Sequence, residues 1–158
     1  MTPFITPEEI EKRARQAAGL FARGYNCSQA VVAACADLYG MDTDTALRVS
    51  ASFGGGIGRM RMTCGAACGM FVLAGLHNGN TLPDAPANKM PNYRLVQSLA
   101  DDFREENGGI VCADLIGLNG TPPQQKRPCP EMIAEAVRIY LHRIVAAQPE
   151  RNANLPTA

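Results

Sequence analysis

Apolar positions along the chain recur at helical spacing, and no stretch alternates in the way a strand would. Ile10, Ala14, Ala17, Ala18 and Phe21 share one face of a first helix. Thr6-Pro7-Glu8-Glu9 starts it, with a threonine cap, proline at N1 and acid in the first turn; it runs to about Arg23 and Gly24 stops it. Asn26 caps a second helix from Cys27 to about Tyr39, closed by Gly40, and Asp42 or Thr43 opens a short third one to about Ser52. A glycine cluster follows: Gly54, Gly55, Gly56 and Gly58. Thr63 then caps a run from Cys64 to Leu76 that is apolar on every face, so this helix belongs in the interior. Its small residues Gly65, Ala66, Cys68, Gly69 and Gly75 invite close approach by neighbouring backbones.

Residues 81–91 read as a loop, followed by a helix from about Tyr93 to Asn107 with Leu95, Val96, Leu99 and Phe103 on one face. Cys112 to Gly117 is a helical turn, 118–130 a proline-rich connection, and Pro130 to about Ala147 the last helix. The expectation is an all-α fold: one domain over 1–148, five or six helices around the buried glycine-rich one, then a tail over 149–158.

Composition narrows the class. The chain has 158 residues, 46% of them hydrophobic and 19% charged, which suits one globular core. Fifteen basic residues balance 15 acidic ones, so nothing in the charge points to nucleic acid or an anionic membrane. The N-terminus turns charged at once and lacks the apolar core of a secretory signal, and the run from Cys64 to Leu76 is too short to span a membrane. The expected location is the cytoplasm, where six cysteines serve metals or redox chemistry more often than structural disulfides.

Position sorts those six. Cys27, Cys64 and Cys129 sit at or beside expected helix starts, and Cys112 begins a short turn; Cys35 and Cys68 lie inside helices, where cysteine packs as a small hydrophobe. A helix start offers unsatisfied N–H groups and partial positive charge, which suit a thiolate. Arg59 and Arg61 near Cys64, and Lys126 and Arg127 near Cys129, reinforce that, and Cys64 is the candidate low-pKa, catalytic thiol. Four thiolates also make the usual ligand set of an iron–sulfur cluster or a closed zinc site, although no C-x-x-C pair is present. Cys27, Cys64, Cys112 and Cys129 are therefore the candidate metal ligands. Cys27 and Cys35 stand roughly 12 Å apart along one helix and Cys64 and Cys68 share a face at i, i+4, so a reversible disulfide would have to join different helices.

The GGGIG run follows no strand and so is not a dinucleotide fingerprint. It is read as a tight turn against the cysteines that feeds N–H groups toward sulfur, which makes Gly55, Gly56 and Gly58 the candidate cofactor-contacting glycines. His77 lies roughly 20 Å from Cys64 along the same helix, too far for a Cys–His pair, and His142 sits on the last helix in a surface role.

The ordered set Asn26-Cys27-Ser28-Gln29-Ala30-Val31, Phe53-Gly54-Gly55-Gly56-Ile57-Gly58, Cys64-Gly65-Ala66-Ala67-Cys68-Gly69, Cys112 and Cys129 resembles the redox-active protein family named for its C-GCAxxG-C-C pattern. The resemblance spans about residues 20–130 and implies a small all-α bacterial or archaeal protein whose pattern cysteines, matching Cys27, Cys64, Cys112 and Cys129, serve a redox or cluster site. Cys35 and Cys68 lie outside the pattern, and Cys68 offers Cys64 an alternative partner.

Three functions follow as expectations. The first is an iron–sulfur electron-transfer centre of 2Fe-2S type, working with a redox partner protein or a small electron carrier. The second is a thiol–disulfide protein using Cys64 with a cysteine from another helix. The third is a structural zinc module. A homodimer is compatible with each.

Overall fold

The structure, a computed structural model, describes residues 4–83, 86–120 and 128–153. Seven α-helices form within them: α1 (Pro7–Ala22), α2 (Cys27–Cys35), α3 (Thr43–Ser50), α4 (Gly65–Asn78), α5 (Met90–Asn107), α6 (Cys112–Leu115) and α7 (Cys129–Ala153). The fold is all-α, and the described residues contain no strand. No described helix is long and apolar enough to cross a membrane.

Local chemistry sets the helix ends. The Thr6 hydroxyl accepts from the Glu9 N–H at the start of α1. Asn26 and Gln29 form a reciprocal capping box at the start of α2, so this helix begins where its sequence directs. After Cys35 the backbone tightens into one 3₁₀ turn, Ala36–Tyr39, which Gly40 ends in the left-handed region at φ 70°. The second helix is thus shorter than its apolar pattern implied. The last one is longer: α7 starts at Cys129 itself and runs to Ala153, into the expected tail. Residues 121–127, with Lys126 and Arg127, and residues 154–158 lie outside the described residues.

The central helix is α4. It packs against α2 on one side and α5 and α7 on others, while α1 lies across α2 and α7. A β-carbon added at Gly69 would stand 2.8 Å from Val31 Cβ, so glycine there allows α2 and α4 their close approach. The other end of α4 differs from expectation. Gly75 is exposed with nothing within 4 Å of an added β-carbon, so its lack of a side chain serves no packing there. Gly75→Ala is therefore expected to stabilise the protein by about 0.5–1 kcal/mol, through reduced unfolded-chain freedom, in urea unfolding; a destabilisation would contradict this placement.

Polar ties fix the helices in the core. The fully buried Tyr140 hydroxyl donates to the Leu73 carbonyl at 3.0 Å and is hydrogen-bonded to the Tyr39 hydroxyl, which meets His77 Nδ1 at 3.0 Å. This network joins α4, α7 and the turn after α2. Arg13 of α1 donates to the Ala34 carbonyl at 2.9 Å and to Asp37, tying α1 to the end of α2. Helix starts are left on the opposite side, where the cysteines gather.

Candidate functional site

Four helix starts converge there. Cys27, Cys112 and Cys129 are the first residues of α2, α6 and α7, and Cys64 is the N-cap of α4. All four line one cavity of about 260 Å³. Phe21, Leu115, Ile116, Met132 and Ile133 supply its apolar wall, and Asn26, Arg59 and Arg61 its polar side chains. Cys64 and Cys112 are buried, whereas Cys27 and Cys129 are half-buried.

Two devices bring these distant residues together. The first is an isolated antiparallel bridge between Thr63 and Val111. The Cys64 N–H donates to the Ile110 carbonyl at 2.7 Å and the Cys112 N–H to the Met62 carbonyl at 2.6 Å, so a pair of backbone bonds sets Cys112 beside Cys64. One bridge needs no alternating pattern, so sequence periodicity carried no sign of it.

The second device is the glycine loop. Gly55, Gly56, Ile57, Gly58 and Arg59 all hold positive φ, between 58° and 74°, and Arg61 follows at 61°. For Ile57, Arg59 and Arg61 this left-handed conformation costs about 1–2 kcal/mol per residue, and a β-branched residue adopts it rarely. The loop leaves no spare room: a β-carbon at Gly56 would stand 2.6 Å from Cys112 Cβ, and one at Gly65 would stand 2.3 Å from Cys27 Sγ. Glycine packs the backbone directly against the cysteines.

Several expectations are corrected here. The loop does not direct its N–H groups at sulfur as a set: those of Ile57, Gly58, Arg59, Met60, Arg61 and Met62 all donate to loop carbonyls. Of the three candidate glycines, Gly55 lines the cavity, Gly56 packs against Cys112, and Gly58 is exposed outside the lining. Thr63 is not the cap of α4; the bridge holds it, and Cys64 occupies that position. Nor is Cys64 an acidic thiol. Burial pushes it up to about 12, reinforced by Cys27 and Cys112, and the backbone N–H groups of Ala66 and Ala67 offset only part of this. Desolvation outweighs the helix dipole.

The same balance holds at Cys129, raised first by burial and then by Cys27 and Cys112, with Arg61 acting in the other direction. Arg61 Nη1 also donates to Cys112 Sγ at 3.8 Å. The other two cysteines do not line the cavity. Cys35 is wholly buried in the core, and burial raises it to about 12. Cys68 Sγ turns toward the Thr63 carbonyl at 3.8 Å; burial, then Cys27, raise it to about 11. His77, bonded to Tyr39, is not part of the lining either. Asn26 is the lining residue that sequence reading treated only as a cap; its amide also donates to the Ala51 carbonyl at 2.9 Å.

Among the described residues, the cavity's titratable donors are its four cysteines, with no histidine or carboxylate in the lining. Among the described residues, no three His, Cys, Asp or Glu side chains are grouped so as to hold a single metal ion. The arrangement offers four cysteines lining one space.

Comparison with curated proteins and with solved structures finds no match. The family described as "Putative redox-active protein (C_GCAxxG_C_C)" matches residues 25–142, a segment that holds all four cavity cysteines and the strained glycine loop. The chain belongs to this redox-active family.

Proposed function

We propose that Cys27, Cys64, Cys112 and Cys129 hold an iron–sulfur cluster of 2Fe-2S type, exchanging electrons with a redox partner protein or a small electron carrier. The observation that carries this reading is the meeting of four cysteines, from four separate helix starts, on one cavity of about 260 Å³. A tetrahedral zinc site would need all four sulfurs within about 2.3 Å of a single ion. A two-iron cluster asks for two cysteines per iron and occupies volume between them, as a cavity lined by four cysteines allows.

When bound, such a cluster supplies one-electron transfer. The chain contributes the rest. Apolar side chains from α1, α6 and α7 wall the space beside the sulfurs. The N–H groups of Ala66 and Ala67 favour negative charge on Cys64, and Arg61 donates to Cys112 Sγ. Cys64 and Cys129, held neutral by burial, must release protons on metal binding, so uptake is favoured as pH rises. Burial also weighs against Cys64 acting as a free attacking thiolate.

The test is anaerobic reconstitution of the full chain with iron and sulfide. The expected product is brown, with charge-transfer absorption in the visible and equal amounts of iron and labile sulfide. A colourless chain that takes up stoichiometric zinc in preference, or no metal at all, would end this reading.

A further inference from the structure

Charge around the cavity is one-sided. Among the described residues, Arg59 and Arg61 are the charged residues of its lining, and no described carboxylate lies there to neutralise them. Among the described residues, neither arginine forms an ion pair with an acid. Both occupy left-handed backbone, an arrangement that arginine does not choose by itself, so the loop holds them at the cavity against their local preference. Arg61 already donates to Cys112 Sγ. Two uncompensated cations beside an apolar hole raise the local concentration of anions and repel cations.

We propose that the cavity is an anion-selective site: it favours negative charge, and Arg59 and Arg61 are the residues that compensate that charge when its four cysteines ionise. This deepens the cluster reading, and rests on it for the source of the charge, since four thiolates from the protein outweigh the positive charge of the iron–sulfide core they would hold. The selectivity belongs to the protein and is measurable without any cluster.

The experiment uses the metal-free full chain and two methanethiosulfonate probes, one bearing a sulfonate and the other a trimethylammonium. Their rates of reaction with the half-buried Cys27 and Cys129 are followed by mass spectrometry, and the ratio of rates at one thiol cancels that thiol's own reactivity. The sulfonate probe is expected to react about tenfold faster than the cationic probe. Arg59→Gln with Arg61→Gln should bring the ratio close to one, and Arg61→Lys combined with Arg59→Gln should keep part of it. A faster cationic probe, or a ratio unmoved by removing both arginines, would overturn the proposal. Anion preference intact in a chain that fails to take up iron and sulfide would sustain the anion site and reject the cluster.

Discussion

Gly65→Ala is expected to destabilise the protein by about 3 kcal/mol and lower its melting temperature by roughly 10 °C. The added β-carbon would stand 2.3 Å from Cys27 Sγ, 2.7 Å from the Phe53 carbonyl oxygen and 3.3 Å from Gly54 Cα. The sulfur could rotate aside, but the other two atoms belong to the backbone before the glycine loop and cannot yield without moving it. Relief therefore requires α4 to slide away from α2, which breaks the packing at Gly69 as well. The variant should also lose affinity for iron and sulfide, since the displaced sulfur is one of the four. Gly75→Ala serves as the control on the same helix, where the effect has the opposite sign. A Gly65→Ala protein as stable as the parent, by thermal and urea unfolding, would show that the contact between α4 and Cys27 is wrongly placed.

The second large effect divides the cysteines. Single serine substitutions at Cys27, Cys64, Cys112 or Cys129 should each lower affinity for the reconstituted cluster by on the order of 100-fold or more, since removing even an outer partner of a metal ligand costs 10–100-fold. Cys35→Ala and Cys68→Ala should load iron and sulfide as the parent does, because neither side chain lines the cavity. Alanine is preferable to serine at Cys35, which is 0% exposed, as a hydroxyl there would be buried in an apolar core. Iron content and visible absorption after desalting give the comparison. Loss of cluster in Cys35→Ala as severe as in Cys64→Ser would overturn the division of the six into four and two.

Much of this was legible before the structure. Thr6-Pro7, Asn26 with Gln29, and Gly108 mark helix ends by local chemistry, and the described helices begin or stop at each, while Gly40 closes the 3₁₀ turn that follows α2. The continuous apolar run after Cys64 told of a buried helix because side-chain character alone decides burial. Placement at helix starts separated Cys35 and Cys68 from the other four, and the cavity lining makes the same division.

What stayed hidden depends on contacts that sequence does not encode locally. Ile57, Arg59 and Arg61 are residues that ordinarily avoid left-handed backbone, so nothing in their identity announces it; the surrounding glycines and the bridge at Thr63 hold them there. The Cys64 thiol was misjudged for a related reason. A helix start lowers a thiol only where water or counter-charge remains, and the depth at which α4 begins could not be read from its own residues. The link among Tyr39, His77 and Tyr140 spans three separate segments and carries no motif.

The four sulfurs reach their common space from segments that are far apart along the chain, the first at the start of α2 and the last at the start of α7. Any ligand bonded to all of them would act as a cross-link between the opening and closing parts of the polypeptide. Its binding energy would then count as folding energy, and melting would have to release it. Under that linkage, oxidative loss of the ligand would loosen the whole helical assembly, so damage at the centre would be sensed as instability of the protein.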